Sequence, residues 1–287
     1  MSLGCGFMEK NSVIKEEQIE KDFLIGGKDP DLGVYCEFFS AKTDIEGQDG
    51  GVVTSLLLNG LKNNQFDTAI IVERVNGYDI KVVATESPDE IRAAKGTKYL
   101  RADVVPTVHE LVIQGKRKIA IVCTPCQVKA VRAIELELRH QYPSLEFTII
   151  GLFCLEAFRH LDLKKEVKNR LNINIDEADK TEVNRGKFIV TIAGREFTCK
   201  ISELSSAVER ACHFCDDFTS KYADISVGSV GSQPGFSTVI VRSKKGKQLL
   251  NNLRAIKSDI KKEEVTKLSK FKQKRAQKNL DARKKLL

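Results

Sequence analysis

Four cysteines constrain the fold of this chain more than any other sequence feature. They lie in three separated segments: Cys126 in Thr-Pro-Cys-Gln, Cys154 in Gly-Leu-Phe-Cys, and Cys212 and Cys215 in Cys-His-Phe-Cys. A Cys-x-x-Cys turn directs two sulfurs at one centre, and two thiolates from distant segments complete a shell of four. Because soft thiolates select zinc or iron–sulfur clusters, we expect these segments to converge on one such centre.

The identity of that centre depends on how the four sulfurs are spaced along the chain. Taken alone, Cys212-x-x-Cys215 fits half a zinc site, a redox pair or chance. Zinc ribbons usually contain two such pairs, whereas here one pair is joined by two distant cysteines, which favours a cluster held by a larger fold. Cys123 also forms a Cys-x-x-Cys with Cys126, but it lies inside an apolar strand, and we interpret it as a buried, inert thiol.

Composition and cysteine usage indicate a cytoplasmic globular protein. The 287 residues are 41% hydrophobic and 30% charged, which is enough to bury a sizeable core. No apolar run approaches the roughly 20 residues that span a bilayer, and the charged N-terminus lacks the apolar segment of a signal peptide. Eight cysteines in such a chain indicate metal or redox chemistry rather than a disulfide framework.

The net charge of +8 is concentrated near the C-terminus. Residues 242–287 carry 17 Lys and Arg but 4 Asp and Glu, and the rest of the chain is mildly acidic. A basic tail can bind nucleic acid, but a solvated helix face or a subunit-docking arm explains it more simply. Nucleic-acid binding is therefore not expected.

Alternating helical and strand-like segments predict an α/β (mixed α+β) fold, a single compact domain whose mixed sheet is flanked by helices. Strands are predicted at 34–40, 69–73, 80–85, 119–123, 147–152, 188–192, 196–200, 223–227 and 238–242. Helices are predicted at 52–62, 87–96, 104–114, 127–141, 161–171, from an N-cap at Ser202 to Cys212, at 246–256 and at 265–285. Cys126 and Cys154 each follow a strand, where ligands gather in such sheets.

The same patterns predict three parts along the chain. Residues 1–31 form a short polar N-terminal extension, residues 32–256 form the core, and residues 257–287 form a basic C-terminal helix.

Three segments that contain glycine are candidates for binding a phosphate through backbone amides. They are Gln48-Asp49-Gly50-Gly51, which opens a helix, Gly96-Thr97-Lys98-Tyr99, and the loop from Gly228 to Gly235. None matches the dinucleotide fingerprint or the P-loop, and turn geometry alone explains each equally well. Lys98 is a candidate partner for a phosphate or for the negative charge of a reduced flavin.

Over about residues 32 to 285, the chain resembles the coenzyme F420 hydrogenase/dehydrogenase beta-subunit family. The matching motifs, in order, are Gln48–Thr54, Ala94–Tyr99, Pro125–Gln127, Gly151–Glu156, Cys212–Asp217, Ala223–Gly231, Gly235–Ile240 and Gln277–Lys284. The added segment before residue 32 and the additional Cys123 depart from the family pattern.

The resemblance implies one FAD and one 4Fe-4S cluster in each chain. Cys126, Cys154, Cys212 and Cys215 match the cluster ligands. The positions that match the flavin-binding region are Gln48, Asp49, Gly50, Gly51, Thr54, Gly96, Thr97, Lys98, Tyr99, Ser229, Val230 and Gly231.

The function that the resemblance implies is electron transfer. A partner's iron–sulfur relay subunit, part of a hydrogenase or dehydrogenase complex, would exchange electrons with coenzyme F420 through the FAD. One alternative is a family relative that reduces another acceptor with ferredoxin or F420 as donor. A second alternative, from a different class, is a zinc-stabilised module that binds nucleic acid through the basic tail.

Overall fold

A mixed eight-stranded sheet with helices on both faces carries the fold in the computed structural model, which describes residues 11–251 and 253–285. The strands are β1 (Gly27–Asp29), β2 (Gly33–Tyr35), β3 (Glu37–Thr43), β4 (Thr68–Arg74), β5 (Ile80–Thr85), β6 (Lys118–Cys123), β7 (Glu146–Leu152), β8 (Lys180–Asn184), β9 (Lys187–Ile192), β10 (Arg195–Lys200), β11 (Ile225–Gly228), β12 (Ser237–Val241) and β13 (Ala255–Ser258). The helices are α1 (Asn11–Phe23), α2 (Val52–Lys62), α3 (Pro88–Ala93), α4 (Val105–Ile113), α5 (Pro125–Leu138), α6 (His160–Leu171), α7 (Lys244–Leu250) and α8 (Lys262–Lys284). Short 3₁₀ helices cover Ile175–Glu177, Ile201–Ala207 and Arg210–Phe214.

The order of strands in the large sheet is β13-β3-β12-β11-β7-β6-β4-β5. Its four central strands, β11, β7, β6 and β4, run parallel, and the strands at both sides are antiparallel. Pairing of Cys123 with Gly151 and of Val227 with Leu152 brings the carboxyl ends of β6, β7 and β11 to one edge. The loops after these three strands therefore meet there.

The central strands carry buried apolar side chains on both faces, and helices pack against each face. Ile119 and Ile121 in β6 pack on one side with Val128 and Val131 of α5. On the other side, Ala120 packs in the cluster that contains residues of α2. Parallel strands buried on both faces read as continuous apolar runs, and this is why the sequence indicates them clearly. The predicted mixed sheet flanked by helices is confirmed.

A second, three-stranded antiparallel sheet is built from β8, β9 and β10. Its two turns, Arg185-Gly186 and Ala193-Gly194, both have positive φ at each central residue, as type I′ hairpin turns require. The predicted hairpin around Ala193-Gly194 is present, and β8 is an additional strand that the sequence did not indicate.

The predicted helix from Ser202 to Cys212 is wrong. The chain forms two 3₁₀ helices there, interrupted at Val208, which makes an antiparallel bridge to Phe158. Lys200, rather than Ser202, precedes the first of them. The bridge holds the chain extended between the two pieces, so one continuous helix cannot form.

The predicted helix at 246–256 is wrong in its second half. Helix α7 ends at Leu250, and Ala255–Ser258 forms β13. β13 pairs with β3, with Ala255 opposite Thr43. Without β13, the outer edge of β3 would present unpaired backbone groups, so long-range pairing overrides the local helical pattern.

The N-terminal segment contains a helix that packs into the core, although its composition is polar. Ile19 in α1 and Leu24 just after it are buried among core residues of the α5 face. The Ile25 N–H donates to the Arg242 carbonyl at 2.7 Å.

The boundaries at residues 31 and 256 stay predictions, and residues 1–10, 252 and 286–287 lie outside the described residues. Of the helices that the structure describes, none combines the length and apolarity needed to cross a membrane.

Candidate cofactor-binding site

A cavity of about 2230 Å³ lies at the edge where β6, β7 and β11 end. Every predicted site residue except Gly50 lines it. From the cysteine set these are Cys126, Cys154, Cys212 and Cys215, and from the glycine segments Gln48, Asp49, Gly51, Thr54, Gly96, Thr97, Lys98, Tyr99, Ser229, Val230 and Gly231. Residues that lie more than 100 positions apart in sequence thus face one space.

The cysteine region, defined as Cys126, Cys154, Cys212 and Cys215, is assembled from three backbone elements. Cys126 lies in the first turn of α5, directly after Pro125. Cys154 follows β7, and its N–H donates to the Phe218 carbonyl at 2.9 Å. Cys212 lies within the second of the two 3₁₀ helices and Cys215 directly follows it.

The four thiols share one electrostatic environment. Burial raises the pKa of Cys154 and of Cys212, and it raises the pKa of Cys215 to about 11. Cys126 adds to the increase in pKa at each of these three thiols, whereas the ammonium of Lys272 opposes it. Added positive charge in the cavity would therefore favour the deprotonated forms of Cys154, Cys212 and Cys215.

Throughout residues 11–251 and 253–285, no three His, Cys, Asp or Glu side chains are close enough together to hold one metal ion.

Helix α8 fastens the segments that carry Cys154, Cys212 and Cys215, a role that the sequence analysis did not predict. Lys272 is 1% exposed, and its Nζ donates to the Cys154 carbonyl at 2.5 Å. Arg275 donates to the Leu155 carbonyl at 2.9 Å and forms an ion pair with Glu156 at 2.8 Å.

One turn further along α8, Asn279 donates to the His213 carbonyl at 2.8 Å, and Arg275 also reaches the Cys212 carbonyl at 3.4 Å. Residues 272, 275 and 279 are spaced three and four apart, which places them on one face of the helix. That spacing is the signal that could have identified them. The basic tail thus has an inner face that contacts the cysteine region and an exposed outer face.

The glycine region, defined as residues 47–51, 96–99 and 229–235, forms another part of the cavity wall. Gly51 is the N-cap residue directly before α2 and has φ of 67°, and a Cβ built there would lie 1.9 Å from the Ile45 carbonyl oxygen. Only glycine fits this position without strain. The N–H groups in the first turn of any α-helix lack intrahelical partners, and in α2 no side chain caps them.

Gly50 lies behind the cavity wall rather than on it. Its N–H donates to Ser237 Oγ at 3.0 Å, and its carbonyl accepts from the Thr43 N–H at 2.8 Å. A Cβ at this position would lie 2.3 Å from the Ala41 carbonyl oxygen. Gly50 therefore allows its loop to approach the backbone of β3 and β12 closely, and its amide is already engaged.

Gln48 links two pieces of the glycine region. Its side-chain oxygen accepts from the Thr97 N–H at 3.5 Å, and its amide donates to the Thr181 carbonyl at 3.4 Å. Tyr99 accepts a hydrogen bond from the Val183 N–H at 2.8 Å. These contacts tie the loops around residues 48 and 97 to β8 of the small sheet.

Two charged groups in this region have shifted pKa values. Burial lowers the pKa of Lys98 to about 8, against the opposing effect of the Glu73 carboxylate. The Lys98 ammonium donates to the Ala94 carbonyl. Burial raises the pKa of Asp49, and Lys180 opposes that shift.

The loop from residue 229 to residue 235 is held by its own turn and by the start of α8. The Val230 carbonyl accepts from Thr238 Oγ1 at 2.6 Å, and the Ser229 carbonyl accepts from the Ser232 N–H at 3.2 Å. Gly231 has φ of 89°, and its carbonyl accepts from the Lys261 N–H at 2.9 Å.

Two family models match consecutive parts of the chain, and both describe the beta subunit of coenzyme F420 hydrogenase/dehydrogenase. The model of the N-terminal part of that subunit matches residues 38–108, and the model of its C-terminal part matches residues 116–278.

Two relatives are longer than the part of them that this chain matches. A coenzyme F420-dependent sulfite reductase of Methanocaldococcus jannaschii is 36% identical over 87% of this chain and 41% of its own length. A subunit of the F(420)H(2) dehydrogenase of Methanosarcina mazei is 32% identical over 76% of this chain and 63% of its own length. This chain thus spans less than two thirds of these two relatives.

Other relatives match along nearly their whole length. A coenzyme F420 hydrogenase beta subunit of Methanothermobacter thermautotrophicus is 31% identical over 89% of this chain and 97% of its own length. A chain of the F420-reducing [NiFe] hydrogenase complex from Methanosarcina barkeri superposes with a TM-score of 0.85 at 28% identity, covering 91% of this chain and 96% of that one. The chain therefore belongs to the coenzyme F420 hydrogenase/dehydrogenase beta-subunit family, a family of oxidoreductase subunits.

Proposed function

We propose that this chain is an electron-transfer subunit that binds FAD and a 4Fe-4S cluster and moves electrons between a partner's iron–sulfur chain and coenzyme F420. One observation carries the proposal: the cysteine region and the glycine region line the same cavity. Two cofactors that exchange electrons must lie close together, and a shared cavity provides for that. The F420 relatives and the hydrogenase complex support the assignment of the substrate.

The cysteine region would hold the cluster. Four thiols that line one cavity form a soft, all-sulfur donor set, which suits iron–sulfur centres. Sulfurs that each bind a different iron stand further apart than sulfurs around one ion. When bound, the cluster would carry single electrons and the flavin would exchange electron pairs with F420.

The glycine region would hold the flavin nucleotide. The uncapped first turn of α2 beside Gly51 offers N–H groups and a favourable helix dipole to a pyrophosphate. The Lys98 ammonium would stabilise negative charge on a phosphate or on the reduced ring. Apolar wall residues such as Val52 and Ile71 exclude water, which strengthens these polar contacts.

The substrate F420 carries phosphate and carboxylate groups, so basic residues on the cavity wall would aid its capture. Lys95, Arg101, Lys180 and Arg185 all line the cavity. Lys95 pairs with Glu46 and Lys180 pairs with Glu182, and these side chains are half-exposed or exposed. Such ion pairs are weak, so an incoming anion readily replaces the carboxylate.

The test is reduction of the flavin by the substrate. After anaerobic reconstitution with FAD, iron and sulfide, reduced F420 should bleach the flavin absorbance. The bleaching should persist in Cys126→Ser, because the electron pair reaches the flavin without passing the cluster. Flavin that stays oxidised in the loaded wild-type protein would remove F420 as the substrate.

A second candidate differs only in the acceptor, and the 36% identity to the F420-dependent sulfite reductase favours it. In that case the isolated, reconstituted chain should oxidise reduced F420 continuously when sulfite is supplied. Turnover that requires an added iron–sulfur protein, and that sulfite does not support, would favour the subunit role.

A further inference from the structure

Three long cationic side chains are fully buried in the described chain: those of Arg132, Arg242 and Lys272. Arg132 has carboxylate partners, Glu135 at 2.6 Å and Asp224 at 2.9 Å. Arg242 is surrounded by hydroxyl and carbonyl oxygens, among them Ser226 Oγ at 2.7 Å. Both therefore have several oxygen partners, which a buried cation requires.

Lys272 differs from both. Its ammonium hydrogen-bonds to the Cys154 carbonyl and to the Cys215 thiol, and neither of these partners is a carboxylate. The flanking basic residues of α8 do have carboxylates, Lys270 with Asp31 at 3.4 Å and Arg275 with Glu156 at 2.8 Å. Lys272 makes no such ion pair with any residue in 11–251 or 253–285.

The other groups that act on the Lys272 ammonium are two thiols and one carboxylate, each of which is negatively charged when deprotonated. The ammonium interacts electrostatically with the Cys154 and Cys215 thiols and with the Asp217 carboxylate. The Asp217 carboxylate already accepts from the Thr219 N–H at 3.0 Å and the Lys221 N–H at 2.8 Å. A buried ammonium without an ion-pair partner is costly, so this arrangement indicates that an anionic centre between the cysteines completes it.

We propose that Lys272 is a positioning residue that raises the reduction potential of the iron–sulfur cluster through its buried positive charge. The inference rests on the proposed function, because it needs the cluster to be present. A cluster with four thiolate ligands is anionic, and one electron from a donor makes it more negative without breaking any bond. A fixed cation beside Cys154 and Cys215 stabilises the reduced form more than the oxidised form.

A purely structural role is the competing explanation, because the same ammonium also fastens the Cys154 loop. Arg275 and Asn279 already hold the backbone at Leu155, Cys212 and His213. Lys272 is the α8 side chain whose charge, rather than only its hydrogen bond, faces the sulfurs. The midpoint potential of the cluster separates the two roles, since a fastening contact does not depend on charge.

The experiment compares four proteins by redox titration, following the electron paramagnetic resonance signal of the reduced cluster. They are the wild type, Lys272→Gln, Lys272→Arg and Lys274→Met. Gln keeps a donor for the Cys154 carbonyl without the charge, and Arg keeps the charge. Lys274 is an exposed lysine on the same helix, so its variant controls for loss of one positive charge.

We expect Lys272→Gln to shift the midpoint potential to a lower value, and Lys272→Arg and Lys274→Met to stay close to the wild type. A potential in Lys272→Gln equal to that of Lys274→Met would overturn the proposal. Loss of the cluster in Lys272→Gln but not in Lys272→Arg would support the need for charge, and loss in both would overturn it. A wild-type protein that binds no iron would instead reject the proposed function itself.

Discussion

The cysteine region and the glycine region lie in one cavity but are built in different ways. The cysteine region depends on side chains. Helix α8 begins 47 residues after Cys215 and fastens the segments that carry Cys154, Cys212 and Cys215. The glycine region depends on backbone geometry, such as the left-handed conformation at Gly51 and the close approach at Gly50. A side-chain site can lose one ligand without unfolding, whereas a backbone site changes when the chain itself is strained.

The largest expected effect concerns the identity of the sulfur ligands. Cys126→Ser should lose most of the iron, because a hydroxyl is a poor replacement for a thiolate in a cluster. Cys123→Ser, three residues earlier in β6, should keep the iron since this thiol belongs to the strand core. Iron and flavin would be measured together in each purified variant. If Cys123→Ser loses the iron and Cys126→Ser keeps it, the ligand set is wrong.

A substitution at Gly51 tests the backbone side of the comparison. In Gly51→Ala the new Cβ would meet the Ile45 carbonyl oxygen, and the left-handed backbone adds strain. We expect a loss of about 2–5 kcal/mol in the free energy of unfolding, measured by urea denaturation. Gly115→Ala is the control: φ is 90° there, but no atom beyond its two chain neighbours lies within 4 Å of the added Cβ, so a loss of about 1 kcal/mol is expected.

Flavin content sharpens the result at Gly51. The folded fraction of Gly51→Ala should bind less flavin while Gly115→Ala binds it normally. Equal destabilisation of the two variants, with normal flavin in both, would mean that the contact at Gly51 does not shape the cavity.

Removing the contacts that Arg275 of α8 makes with the cysteine region should weaken that region without removing a cluster ligand. Arg275→Met deletes hydrogen bonds to two loop carbonyls and the ion pair with Glu156. The free energy of unfolding should fall by about 1–3 kcal/mol, and iron should be lost faster to a chelator than in the wild type. Lys278→Met, which removes an exposed charge from the same helix, should change neither quantity. Identical chelation rates in the two variants would contradict the fastening role of α8.

The smallest expected effect is a pH dependence of flavin binding. The pKa of Lys98 is lowered to about 8, so its ammonium is present below that pH and is lost as the pH rises through it. Affinity for FAD should therefore fall above pH 8, by at most about tenfold per pH unit. Titrations of flavin fluorescence at several pH values would show this decline, and Lys98→Gln should flatten it. A decline that is unchanged in Lys98→Gln would assign the effect to another group.

The two regions also differ in how far the sequence predicts them. Apolar runs at β6 and β7 indicated buried strands, and the cysteines after them were expected to share a site; in the structure both line one cavity at the sheet edge. The glycine segments gave weaker signals, because turn geometry accounts for them equally well. Gly50 illustrates this, since its amide bonds to Ser237 rather than facing the cavity.

Other features depend on contacts between distant parts of the chain and could not be read locally. The bridge between Phe158 and Val208 interrupts the predicted helix before Cys212, and the pairing of β13 with β3 converts another helix end into a strand. Lys272 is one lysine among many in a basic helix, and only the folded structure shows that it is buried against Cys154.

The most direct test of the central claim is the cofactor content of protein purified without oxygen. We predict about four irons, four sulfides and one flavin per chain, with a brown colour that fades in air. A colourless protein that contains zinc and neither iron nor flavin would contradict the account.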